Sequence, residues 1–152
     1  MALRQVSVTR TIATTPERIF ALLVDPEQHP VLDGSGTVKA ARGASASRRL
    51  ELGSTFGMDM RIGAPYKITN TVVEFEQDRL IAWRHFNGHR WRWQLNPVGG
   101  DRTEVTETFD WSTAKMPLAI TLSPFPRTNR RGIERTMDNL AAMFPDGADQ
   151  PS

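Results

Sequence analysis

Three side chains in the second half of the chain carry most of its potential chemistry: Arg84, His89 and Glu107. A guanidinium is a permanent cation, an imidazole titrates near neutral pH, and a carboxyl is an acceptor when ionised and a donor when protonated. Together they could hold or protonate a carbonyl, hydroxyl or carboxylate, with His89 as a candidate acid or base and Arg84 and Glu107 as polar anchors. The remaining nitrogen ligands are His29 and His85, and the chain has no cysteine. Disulfides and cysteine-ligated zinc or iron–sulfur centres are therefore excluded. No Gly-x-Ser-x-Gly, Walker-type or Gly-x-Gly-x-x-Gly pattern occurs, so the hydrolase-elbow, P-loop and dinucleotide readings have no support. Around the polar trio lie Met58, Met60, Phe86, Trp91, Trp93, Phe109 and Trp111, a set suited to an apolar pocket.

Strands must position these residues. Asn87-Gly88 between two β-rich runs predicts a two-residue hairpin joining Leu80–Phe86 to His89–Leu95. Opposed residues then sum to 175. One face carries Leu80, Ala82, Arg84 and Phe86 with His89, Trp91, Trp93 and Leu95; the other carries Ile81, Trp83 and His85 with Arg90, Arg92 and Gln94. The first set is the more apolar and is assigned to the interior. A three-residue turn at Gly99-Gly100-Asp101 adds Val105, Glu107, Phe109 and Trp111 to that face. In this register Arg84 and Glu107 start roughly 10 Å apart, within mutual reach. They are either a ligand anchor in an apolar pocket or an internal ion pair. Trp83 opposite Arg92 predicts a cation–π contact on the outer surface. His85 and His89 fall on opposite faces, with His29 far away in a helix, so no metal site is expected. A one-residue slip would reverse these faces.

The other elements frame this sheet. Val6, Val8, Arg10 and Ile12 alternate with polar residues as a first strand. Thr14-Thr15-Pro16-Glu17 opens a helix, by a Thr14/Glu17 capping box or by Thr15 as cap before Pro16. Asp25-Pro26 opens a second, shorter one ending before Gly34. Further strands are expected at Thr37–Ala41, Thr55–Ile62, Tyr66–Glu76 and Thr103–Trp111. Met58 and Met60 are either core packing or part of a pocket adaptable to varied guests. After Pro117, Pro124 and Pro126, Ile133, Met137, Leu140 and Phe144 mark one apolar stripe on a long helix over about 128–144. Its start gathers Arg127, Arg130, Arg131 and Arg135. This cluster is either a solvated face with Glu134 and Asp138 or a contact for phosphates or acidic headgroups.

Strand, two short helices, an antiparallel meander and one long amphipathic helix specify an α+β fold. This order, with Thr14-Thr15-Pro16-Glu17-Arg18-Ile19-Phe20, Leu80-Ile81-Ala82-Trp83-Arg84 and Thr106-Glu107-Thr108-Phe109-Asp110-Trp111, resembles the SRPBCC superfamily over roughly residues 5–144. That START-related, helix-grip group includes the major birch pollen allergen and bacterial polyketide cyclase/dehydrase-like proteins. The resemblance implies a curved antiparallel sheet of about six or seven strands wrapped around the C-terminal helix, and binding of a hydrophobic ligand between them. The ligand would be a lipid, aromatic or polyketide-like molecule lined by Met58, Met60, Arg84, Phe86, Trp91, Trp93, Glu107, Phe109, Trp111, Ile133, Met137 and Leu140. Two alternatives stand beside it: an aromatase/cyclase-type enzyme, and a regulatory or toxin–antitoxin-type interaction protein.

Composition agrees with one domain over 1–145 and a flexible tail over 146–152. The 152 residues include 19 Lys+Arg against 17 Asp+Glu, a formal charge of only +2, which argues weakly for nucleic acid. No apolar run approaches the ~20 residues that span a bilayer, and the N-terminus lacks a signal-peptide pattern. The expectation is a cytoplasmic monomer or weak homodimer with a small hydrophobic ligand, no cofactor and no nucleic-acid partner.

Overall fold

Alternation with a period of two, broken by glycine and proline, lays the middle of the chain out as strands. In the computed structural model, residues 4–33, 38–42, 49–62, 64–85 and 88–145 are described. The proposed tail at 146–152 lies outside them, as do Phe86 and the side chain of Met60.

The strands are β1 (Gln5–Ile12), β2 (Val38–Arg42), β3 (Thr55–Ile62), β4 (Ala64–Glu76), β5 (Leu80–Arg84), β6 (Arg90–Gly99) and β7 (Arg102–Asp110). They form one seven-stranded antiparallel sheet in the order β1-β7-β6-β5-β4-β3-β2. Between β1 and β2 lie α1 (Pro16–Leu23), a 3-10 turn (Pro26–Gln28) and α2 (His29–Leu32). Thr15 caps α1 ahead of Pro16 without a side-chain bond, so of the two expected starts the proline-led one forms. The Asp25 carboxylate accepts from the Glu27 backbone N–H at 3.1 Å and starts the 3-10 turn.

After β7 come α3 (Pro117–Leu122) and α4 (Phe125–Met143). The long helix thus begins three residues earlier than expected. Pro126 occupies its first turn, where a missing N–H leaves no intrahelical bond unmade. The same reason lets Pro117 open the unforeseen α3. Helix α4 buries Gly132, Ile133, Thr136, Met137 and Leu140 and packs on β1, β7, α2 and α3. The Arg10–Asp138 ion pair and a 3.0 Å bond from the Asn139 amide to the Leu32 carbonyl pin it in place. The described structure confirms the α+β helix-grip architecture: a curved sheet, short helices after β1, and a long C-terminal helix across the concave side.

Candidate functional site on the concave face

The register of the β5–β6 hairpin decides which side chains reach the interior. Leu80 pairs with Gln94, Ile81 with Trp93, Ala82 with Arg92, Trp83 with Trp91 and Arg84 with Arg90. Opposed positions sum to 174, one less than expected. The His85 N–H donates to the His89 carbonyl at 3.1 Å and the Gly88 N–H to the His85 carbonyl at 2.9 Å, which leaves three residues in the loop. Gly88 has φ +94°, the left-handed geometry that favours glycine. A one-residue slip exchanges the faces of β5 while leaving β6 unchanged.

Arg84 is accordingly exposed on the convex face and does not meet Glu107. Trp83 points inward instead of covering the surface. It stacks on His29 (ring centroids 4.8 Å, 20° between planes) and meets Phe56 edge-on at 5.5 Å. The physical reason is that the expected register turns a guanidinium inward, whereas the observed one packs a half-buried indole against the core and leaves the charge in water. Arg92, assigned to Trp83 by the sequence, instead grips Glu74 through two nitrogens at 2.9 and 2.7 Å and reaches Asp110 at 3.3 Å. Arg90 adds a 2.9 Å bond to Glu74. These bonds hold the Glu74 carboxyl below its usual range. They make a polar brace on the outer surface.

The β6–β7 register matches expectation, with opposed residues summing to 200 from Arg90↔Asp110 to Pro97↔Thr103. Trp91 faces Phe109, and Trp93 faces Glu107. Trp91 and Phe109 rings lie 4.9 Å apart, and Phe109 stacks on Trp111 at 5.3 Å. Trp93, Phe109, Trp111 and Met58 are buried in one cluster with Ile133, Met137 and Leu140 of α4, and Trp91 packs against it half-buried. Trp111 donates its Nε1–H to the Thr121 hydroxyl at 2.8 Å, tying α3 to the sheet.

Polar groups interrupt this wall at two levels. Glu107 is only 6% exposed, and its Oε1 has no hydrogen-bond partner among the described residues. Burial, aided by repulsion from Asp33, pushes its carboxyl well above the ordinary carboxylate range, so the site favours the protonated acid. A second level lies beside Phe109, toward the end of β7 nearest the β5–β6 loop. His89 faces Phe109 (5.3 Å), lies 4.5 Å from the His85 ring, and leaves its buried Nδ1 unpartnered. Asn70, buried opposite Phe56 on β4, likewise has an unpartnered Oδ1.

His85 and His89 therefore share a side, contrary to the expected opposition. Burial lowers them to about 3 and about 4, with each other's proximity adding to the shift on His85. His29 is a core histidine: its Nε2 is 2.8 Å from the Leu23 carbonyl and burial lowers it to about 4. No group of three or more metal-ligating side chains occurs among the described residues.

Side chains of the sheet and of α4 meet in one buried cluster that includes Met58, Trp93, Phe109, Trp111, Ile133, Met137 and Leu140. Two depressions, of about 430 and 320 Å³, lie around Thr71, Arg84, His85 and Arg90 at the β5–β6 hairpin end and around Glu76, Gln94 and Thr106. The sequence singled out neither His85 nor Asn70 for the inner surface. His85 was lost to the register, and Asn70 needed the β3–β4 pairing that sets it opposite Phe56.

The profile described as polyketide cyclase/dehydrase and lipid transport matches residues 4–144. The chain belongs to this family. An uncharacterized protein of Mycobacterium tuberculosis strain H37Rv is 36% identical over 148 residues, which cover 94% of this chain. The match spans 65% of that relative's length. A START superfamily protein from Mycobacterium smegmatis superposes with a TM-score of 0.69 at 18% identity, covering 92% of this chain and 96% of that one. The Aha1 protein of Colwellia psychrerythraea, solved as a dimer, gives a TM-score of 0.67 at 15% identity, with 97% and 99% covered. No helix among the described residues is long and apolar enough to cross a membrane.

Proposed function

We propose that the domain formed by the matched residues binds a small, elongated hydrophobic molecule between the sheet and α4, held by apolar contact with Trp91, Trp93, Phe109, Trp111, Met58, Met137, Ile133 and Leu140. The observation that carries this reading is the set of buried polar atoms without partners among the described residues in an aromatic wall: Glu107 Oε1, His89 Nδ1 and Asn70 Oδ1. Unsatisfied buried groups are rare in folded proteins, and each calls for a water or a guest as its partner. A protonated Glu107 donates to a carbonyl or hydroxyl, and His89 and Asn70 can engage a second polar group. The two levels are separated along β7, Glu107 lying on one side of Phe109 and His89 facing that ring. That separation suits a lipid, polyketide-like or fused aromatic molecule with oxygen near each end. Because Met58, Met137 and the ring side chains pack in one buried cluster, entry requires some of them to give way, and Met58 and Met137 are the flexible ones.

Native mass spectrometry and tryptophan fluorescence against a lipophilic library test this. Bound guests that quench the interior tryptophans, and bind more weakly to Glu107→Leu when they carry an oxygen but not when they are pure hydrocarbons, are expected. Absence of any guest refutes the reading. The protonated carboxyl also favours a second reading, a cyclase-type enzyme in which Glu107 is the acid. In that case Glu107→Gln abolishes turnover while a guest still binds.

A further inference from the structure

Residues 111–133 contain Lys115, Arg127, Arg130 and Arg131 and no aspartate or glutamate. The same stretch carries a concentration of exposed apolar side chains. Of the nine large apolar residues exposed among the described residues, four fall within 116–125: Met116 (66%), Leu118 (60%), Leu122 (80%) and Phe125 (56%). Scattered exposed apolar residues are ordinary; a contiguous group rimmed by charge marks an interaction surface.

The patch is held in shape. Leu118 and Leu122 are four residues apart and share one face of α3. From the same helix Ile120 is buried and Thr121 takes the Trp111 indole N–H at 2.8 Å. The Ser123 hydroxyl donates to the Ile120 carbonyl at 2.7 Å and accepts from the Phe125 N–H at 3.2 Å, fixing the turn into α4. Little ordering entropy remains to be lost on contact. The cations are equally uncommitted. Arg130 meets Glu134 at 3.5 Å, an exposed pair of small value, and Lys115, Arg127 and Arg131 form no ion pair among the described residues.

We propose that α3 and the first turns of α4 dock on an anionic lipid bilayer. Leu118, Leu122 and Phe125 enter the boundary between headgroups and acyl chains, and Lys115, Arg127, Arg130 and Arg131 lie over the lipid phosphates. Charge decides the occupant. A second copy of the chain would set four more cations against these four, whereas an anionic surface complements both the apolar centre and the basic rim. The proposal needs no guest in the interior and stands apart from the ligand reading.

The test is co-sedimentation of the full chain with vesicles of phosphatidylcholine alone and with about one third phosphatidylglycerol. The anionic vesicles are expected to bind at least about tenfold more tightly, and the preference to fade near 0.5 M salt. Leu118→Ser with Leu122→Ser, and separately Arg127→Glu with Arg131→Glu, are each expected to lose about tenfold or more. Circular dichroism verifies that each variant is folded, and if the serine pair is not, the charge-reversed pair decides. Equal binding to both vesicle types, or binding untouched by the variants, overturns the proposal. So does masking of the patch by self-association or by an acidic soluble protein that competes with vesicles.

Discussion

Glu107→Gln tests the interior directly, because an isolated buried acid and a buried ion pair respond to pH in opposite directions. The native carboxyl is buried, has no counter-ion in the Arg84 position, and is pushed well above its ordinary range by burial and then by Asp33. In the unfolded chain it ionises near 4.3, so above that pH the unfolded state gives up the proton that the folded state keeps. Stability from this site is complete below about pH 4.3 and declines as pH rises, by about 1.4 kcal/mol per unit, until the native carboxyl ionises. Glutamine keeps the shape and cannot ionise. The stability of Glu107→Gln minus that of the parent should therefore rise with pH between roughly pH 4.5 and 6.5. Urea unfolding of both proteins at the two pH values gives the double difference, in which the shared histidines cancel. A difference that stays flat within about 0.5 kcal/mol refutes the elevated carboxyl. A difference that falls with pH means that Glu107 is ionised and paired with a cation after all.

The hairpin register predicts that Trp83→Ala, which strips His29 and Phe56 of their ring partner, costs about 3–5 kcal/mol. Arg84→Ala on the exposed side should cost less than about 0.5 kcal/mol, and denaturant midpoints in the reverse order would restore the two-residue loop. Gly88→Ala should destabilise by about 1–3 kcal/mol, because a Cβ there would sit 2.6 Å from the Thr113 carbonyl oxygen at φ +94°; an unchanged Tm would contradict this. Acid should unfold the domain through its buried imidazoles. His29, lowered to about 4, supports the fold fully above about pH 6.5, and its contribution falls by about 2 kcal/mol by pH 5. Its imidazole resonances should show no titration between pH 7 and 5 in the folded protein.

Much of the fold was legible because it rests on local rules. Period-two alternation marked β3 at Thr55–Ile62 as observed, and Pro16 and the Ile133–Leu140 stripe announced α1 and α4; the β6–β7 register came out as expected although Gly99 pairs with Arg102, because a bulge between Pro97 and Gly99 offsets the shorter Gly100-Asp101 loop. These signals sit within a turn or two of the chain and need no distant partner. The concave composition of β6 and β7 followed from them, so Trp93, Glu107, Phe109 and Trp111 were foreseen as interior residues. The face of β5 did not follow, because Asn87-Gly88 fits more than one loop length. The choice belongs to contacts far away in sequence: His29 and Phe56 receive Trp83, Glu74 and Asp110 receive Arg92, and Thr113 closes on Gly88. Whether Glu107 has a counter-ion depends on that same choice. Local alternation determined which residues could line the interior, and long-range packing, by turning an indole instead of a guanidinium toward the core, decided that its carboxyl stands without Arg84.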